Sequence, residues 1–322
     1  MKHSVKITSL ILLFFLLSQV LGLFLISLSS NQELVLYEGE QLIRVSYEET
    51  ALGERPSFSQ EYGAVIYLIV GVALGTLLLL GLMKLKIGGK LWKYWYFLAV
   101  ALAMTIALGV FLPPAIALFL GLALGILKIY HPTFWFHNIT ELFMYAGLGV
   151  LLAPMFTVAW ASLLLILISI YDMYAVWNSK HMVRLAKFTM KNKLFAGIFI
   201  QYKQEKNKTT LVIAAPIVHK EVDVSKLSKP KKQASVRQAI LGGGDIVFPL
   251  IFSGAVFTQL LQQGFSHAVA LFSALTVSMA TLISLYLLFL LGKKNKFYPA
   301  MPFVSIGCFV GYFMVKLIIL FF

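Results

Sequence analysis

The sequence predicts an all-α, polytopic membrane protein with nine transmembrane helices. Hydrophobic residues make up 60% of the 322 positions and charged residues only 12%, about half the charged share of an ordinary soluble domain. The apolar residues fall in runs of about 20, the length that crosses the hydrocarbon of a bilayer. The charge is also segregated. Of 27 Lys and Arg residues, 14 lie between Lys180 and Arg237, and most others sit just beyond an apolar run, as in loops retained on one side of a membrane. These observations exclude a soluble enzyme, and the net charge of +14 reports topology and a lipid-bilayer partner, not nucleic acid.

Taken in order, the expected spans are 8–29, 62–83, 94–111, 114–130, 139–153, 157–177, 239–261, 266–291 and 298–321. The first follows Lys2 and Lys6 like a signal peptide, but it is longer than such a segment usually is and no A-x-A site follows. It is read as an uncleaved anchor. Residues 30–61 carry seven glutamates against Arg44 and Arg55 and are expected outside. Lys84, Lys86, Lys90 and Lys93 return the chain to the inside, where the 178–238 loop and Lys293, Lys294 and Lys296 also fall. The result is one membrane-embedded domain, residues 1–322, multi-pass in the cell membrane, with a cytoplasmic N-terminus and an extracytoplasmic C-terminus.

The 178–238 loop is the largest polar segment. Arg184 to Lys193 reads as a basic amphipathic helix on anionic lipid. Residues 197–202 and 209–218 are β-prone runs on either side of a polar turn, Lys203 to Lys208, and a small hairpin and a flexible linker are both compatible with them.

The acidic residues carry the functional signal. Of thirteen, seven are in the first outer loop, three in the basic loop, and Glu141 at the inner edge of a span, which leaves Asp172 and Asp245 within spans. A carboxylate at bilayer depth costs about 2.5 kcal/mol or more and marks a cavity or a partner. At 1.5 Å per residue, Asp172 lies about 8 Å from the end of span six and Asp245 about 9 Å from the start of span seven. Adjacent antiparallel helices would bring them to one depth. Two close carboxylates share a proton, so one can act as a base on water while the other polarises a carbonyl. Three glycines precede Asp245, and Pro249 four residues later withdraws a helix donor.

At these residues the chain resembles the presenilins and signal peptide peptidases. Ile170-Tyr171-Asp172 is similar to their YD motif, Gly242-Gly243-Gly244-Asp245 to their GxGD motif, and Pro299-Ala300-Met301-Pro302 to their Pro-Ala-Leu motif, with Met301 in place of leucine. The compact inner loop resembles archaeal presenilin-like members. The resemblance implies an intramembrane aspartyl endopeptidase with Asp172 and Asp245 catalytic, cleaving protein substrates within their transmembrane helices. It implies that Gly242 and Gly244 shape the approach to the site, that Pro299, Ala300 and Met301 form its substrate-side wall, and that Tyr171 orients Asp172 or packs beside it. It implies no metal or organic cofactor, and the sequence requires no accessory subunit. It also suggests that a strand supplied by the stretch after Trp177 or by Lys231 to Ala239 pairs with unwound substrate.

The competing classes are a proton- or cation-coupled transporter using the aspartates as a relay, a prepilin-type peptidase and a non-catalytic scaffold. Ile246, Val247 and Phe248 disfavour the peptidase, which usually has a basic residue shortly after its GxGD. His131, His137 and His181 are read as solvated loop residues. Trp92, Tyr94, Trp95 and Tyr96 are read as an interfacial belt.

Overall fold

The computed structural model describes residues 5–37, 40–85, 88–178, 196–205, 208–211, 236–292 and 298–320. The expected helix at Arg184 to Lys193, the loop lysines 293, 294 and 296, and the stretch after Asn178 up to Phe195 lie outside the described residues.

Nine helices are present among the described residues: α1 (Val5–Leu28), α2 (Gly63–Lys84), α3 (Gly88–Gly109), α4 (Pro114–Tyr130), α5 (Phe134–Leu152), α6 (Val158–Met173), α7 (Gly244–Gln262), α8 (His267–Leu291) and α9 (Met301–Leu320). Eight mark segments long and apolar enough to cross a membrane, and α4, at 17 residues, is the shorter apolar helix. Their starts follow local chemistry. Pro114 opens α4, where its missing N–H is no loss. The hydroxyls of Thr133 and Ser266 accept from Phe136 and Val269 and cap α5 and α8.

The helices pack as a membrane bundle does, through small residues that let backbones meet. Gly307 and Gly311 of α9 face α8 so closely that an added Cβ would lie 2.6 Å from the Cα atoms of Thr281 and Val277. The first span is integral to the bundle. Gln19 of α1 is fully buried and donates through Nε2 to the Ile246 carbonyl at 2.9 Å, while Ser278 of α8 donates to its Oε1 at 3.4 Å.

Two small sheets accompany the helices. Strands β1 (Ser30–Tyr37) and β2 (Glu40–Tyr47) form an antiparallel hairpin between α1 and α2 that the apolar patterning did not indicate. Strands β3 (Gly197–Glu205), β4 (Lys208–Leu211) and β5 (Val236–Gly242) form an antiparallel sheet in the order β4-β3-β5. The β3–β4 pair is a hairpin, but its strands run through the expected turn: Lys203, Gln204 and Glu205 pair with Thr210, Thr209 and Lys208, while residues 212–218, expected in the second strand, lie outside the described residues. β5 adds a third strand.

Span seven requires correction. Residues 239–242, expected as its first turn, belong to β5, and α7 begins at Gly244. Three consecutive glycines are poor helix formers, and strand pairing with β3 takes up the backbone groups up to Gly242. Asp245 therefore stands in the first turn of its helix, not six residues into it.

Candidate active site

Asp172 projects from the last turn of α6, which then widens into a π-helical turn at Tyr174–Asn178. Its side chain is buried, and Oδ2 accepts from the Met301 N–H at 3.1 Å. The neighbouring Ala300 N–H is near enough to act on the same carboxylate. Both N–H groups belong to the start of α9, where the first N–H groups of a helix have no partner within it and favour negative charge. Pro299, buried just before, sets the chain direction into that turn. Ser169, one turn before Asp172, meets Ser305 at 2.7 Å and ties α6 to α9. The Pro-Ala-Met segment thus acts on Asp172 through main-chain N–H groups. Those are the same for methionine or leucine, so Met301 in the leucine position leaves this contact intact. Tyr171 is half-buried beside Asp172.

Asp245 reaches the same place from the other side. Its carboxylate lies against Gly242, the last residue of β5, and is close enough to Asp172 for the charge of one acid to act on the other. A Cβ at Gly242 would come within 3.3 Å of Asp245 Oδ2, which accounts for a glycine at the end of the strand. Gly244 is less constrained: a Cβ there would make only ordinary contact, 3.4 Å from the Phe248 ring. The tight position is Gly243, where a Cβ would lie 3.0 Å from Cε1 and 3.1 Å from the hydroxyl of Tyr145. Sequence reasoning singled out the two outer glycines; the packing singles out the middle one. Pro249 withholds the N–H that would bond the Asp245 carbonyl one turn back.

The sheet leads the chain directly into this site. Asn138 of α5 bonds both main-chain groups of Phe199 in β3: Nδ2 donates to its carbonyl at 3.2 Å and Oδ1 accepts its N–H at 3.1 Å. In an antiparallel ladder the N–H and C=O of one residue point to the same side, so Phe199 turns away from β5. Its register partner Ile240 therefore directs its own N–H and C=O away from β3. By the same alternation Val236, Gln238 and Gly242 do so as well. Among the described residues β5 is at one edge of the sheet, and its last residue, Gly242, lies against Asp245.

Three expectations about neighbouring residues are overturned. Glu141 is not at the edge of a span but fully buried within α5, which begins at Phe134; it is a third acid inside the bundle. Lys128 Nζ lies 2.8 Å from Glu141 Oε1, and the hydroxyls of Tyr96 and Tyr145 donate to the same carboxylate. His137 is buried, not solvated, with Nε2 3.1 Å from the Gly197 carbonyl. Tyr96 is likewise buried, so it leaves the belt to exposed Tyr94 and Trp95. The signal that would have found these groups is Lys128 within an apolar run, a charge needing an acid nearby.

Comparison with known proteins agrees with this architecture. The signal-peptide peptidase, presenilin aspartyl protease family model matches residues 45–320. No curated protein matches the chain. Two solved structures of a presenilin family intramembrane aspartate protease share its fold. One, in space group P2, has a TM-score of 0.57 at 16% identity and covers 96% of each chain. The other, in C222, has a TM-score of 0.52 at 15% identity and covers 95% of this chain and 94% of its own. With the family model matching residues 45–320, the chain belongs to the signal-peptide peptidase and presenilin family of aspartyl proteases and is a multi-pass, aspartic-type intramembrane endopeptidase.

Proposed function

We propose that Asp172 and Asp245 are the catalytic dyad and hydrolyse peptide bonds within the transmembrane helices of protein substrates. The observation that carries this reading is that two acids 73 positions apart in the chain converge, Asp172 held by the Met301 N–H at the start of α9 and Asp245 lying against Gly242 at the end of β5, near enough for the charge of one to act on the other. The ionised member of the pair takes a proton from water, and the protonated member donates to the scissile carbonyl. Attack gives a tetrahedral diol, and its collapse expels the amine as the dyad returns the proton taken from water to the leaving nitrogen. The pair titrates as a unit, so the two roles belong to the dyad.

A transmembrane helix hides its carbonyls in its own hydrogen bonds, and cleavage needs local unwinding. The freed groups need partners, since unpaired groups in hydrocarbon cost several kcal/mol each. Among the described residues β5 is an edge strand, and its Gln238 and Ile240 main-chain groups offer such partners on the way to Asp245. Of the two strand segments suggested by sequence, 236–239 lies in β5, while the stretch after Asn178 and residues 231–235 lie outside the described residues.

The basic charge of the 178–238 segment supports the reading of this end of the bundle as cytoplasmic, with the N-terminus inside and the β1–β2 hairpin outside. A cysteine at Ser46 then reacts with impermeant reagents only from outside, and one at Ser228 only from inside. The dyad is tested by Asp172→Asn and Asp245→Asn in purified protein with a transmembrane peptide. Each is expected to abolish cleavage while leaving the thermal transition in detergent in place. Cleavage by either variant at a near wild-type rate refutes the assignment. The transporter reading has no support in the fold or the family.

A further inference from the structure

α5 carries a polar face that the two aspartates do not use. His137, Asn138, Glu141 and Tyr145 fall on adjacent turns of one side of the helix, and none is more than 5% exposed. Polar groups buried to this degree cost stability unless each is matched, and here their partners are the elements that carry Asp245. His137 and Asn138 hold Gly197 and Phe199 of β3. The Glu141 carboxylate, balanced by Lys128, receives the Tyr145 hydroxyl. The ring of Tyr145 comes so close to Gly243 that an added Cβ would lie 3.0 Å from its Cε1 and 3.1 Å from its hydroxyl, and Tyr145 is within electrostatic reach of Asp245. An apolar face would pack the same helices without a buried ion pair, often at no loss of stability. What the polar face adds is orientation.

We propose that Asn138, Glu141 and Tyr145 are positioning residues for this protease: Glu141 fixes the Tyr145 hydroxyl, Tyr145 fixes the Gly243 turn that presents Asp245 to Asp172, and Asn138 keeps β3, and through it β5, in register with that turn. This rests on the reading of Asp245 as catalytic. A displacement near 1 Å of a reacting group costs on the order of a hundredfold in rate, so a partial loosening of the turn is expected to cost about tenfold.

The test uses the full chain in detergent micelles, with competent sites counted by binding of a hydroxyethylene transition-state isostere and turnover measured on a transmembrane peptide. Tyr145→Phe keeps the ring and removes the hydroxyl. The expected result is an unchanged KM and a kcat per competent site lower by about tenfold. Asn138→Asp, which can accept from Phe199 but not donate in its ionised form, is expected to spread the cut over neighbouring bonds, read by mass spectrometry. A merely structural role lowers the number of competent sites and leaves both kcat per site and the cut position as they were. If Tyr145→Phe yields no inhibitor-binding protein, Glu141→Gln with Lys128→Met removes the acceptor charge and its counter-charge together, and the same kcat loss is expected. A kcat per site within about twofold of wild type in the variant that folds overturns the proposal. Asp245→Asn, run alongside, separates the two readings: cleavage by that variant refutes the dyad, whereas its loss with normal Tyr145→Phe turnover refutes only the positioning role.

Discussion

Proline at Ile240 separates substrate pairing from the integrity of the sheet. Phe199 gives both of its main-chain groups to Asn138, so Ile240 opposite it has no ladder bond to β3 to lose. A proline ring there removes an N–H on the side of β5 that carries no strand among the described residues, the setting in which strands tolerate proline, and the preceding Ala239 is already in the extended conformation that proline favours. The substrate loses one backbone hydrogen bond and keeps an unpaired carbonyl in a water-poor site. The two effects together cost about 1–3 kcal/mol, which is about 5- to 150-fold in kcat/KM. The assay compares Ile240→Pro with wild type on two peptides, one fully helical and one with glycines near its cytoplasmic end. Glycines lower the unwinding cost and speed cleavage by both enzymes, whereas the proline slows both peptides by a similar factor. Ala239→Pro, whose N–H faces β3, is the contrasting variant and is expected to lower the thermal transition as well. If Ile240→Pro cleaves both peptides at the wild-type rate, substrate does not add to this edge.

Gly243→Ala forces a Cβ to 3.0 Å from the Tyr145 ring, and Gly244→Ala meets only the Phe248 ring at ordinary contact distance; peptide turnover is expected to collapse in the first and stay within about threefold in the second, and equal rates would contradict the packing. Glu141→Ala strands the buried Lys128 ammonium, at an expected cost of about 3–5 kcal/mol in thermal or denaturant unfolding, and Lys128→Met in the same chain is expected to recover much of it. On the hairpin side, burial pushes the Tyr47 hydroxyl, bonded to Thr258 at 2.5 Å, up to about 12. Between pH 10 and 12 the native state then holds a proton that the unfolded state has released, so stability falls as pH rises, by at most about 1.4 kcal/mol per pH unit. Tyr47→Phe is expected to remove that part of the alkaline limb, and an unchanged limb would assign it to other groups.

The sequence by itself determined the class of the protein, the number and order of its apolar helices, and the two span-resident aspartates that the motifs brought forward. Each of these depends on a local quantity: the length of an apolar run, or the cost of one charge in it. The hairpin after residue 197 was legible only in part: its β-prone runs are local, but the polar residues Lys203 to Glu205, read as turn, extend β3 because pairing with β4 carries them. The tertiary structure alone decided where span seven begins, because hydropathy reads Ala239 to Leu241 as equally suited to helix or strand and only pairing with β3 chooses between them. It decided that Gly243 and not Gly244 is the sterically committed glycine, since the atom that forbids a side chain there belongs to Tyr145. It decided that Glu141 and His137 are buried: a polar residue near the end of an apolar run reads as solvated until its partners, Lys128 and Gly197, are brought to it from other segments. Hydropathy records the cost of an unpaired polar group, and only the folded chain shows which groups are paired.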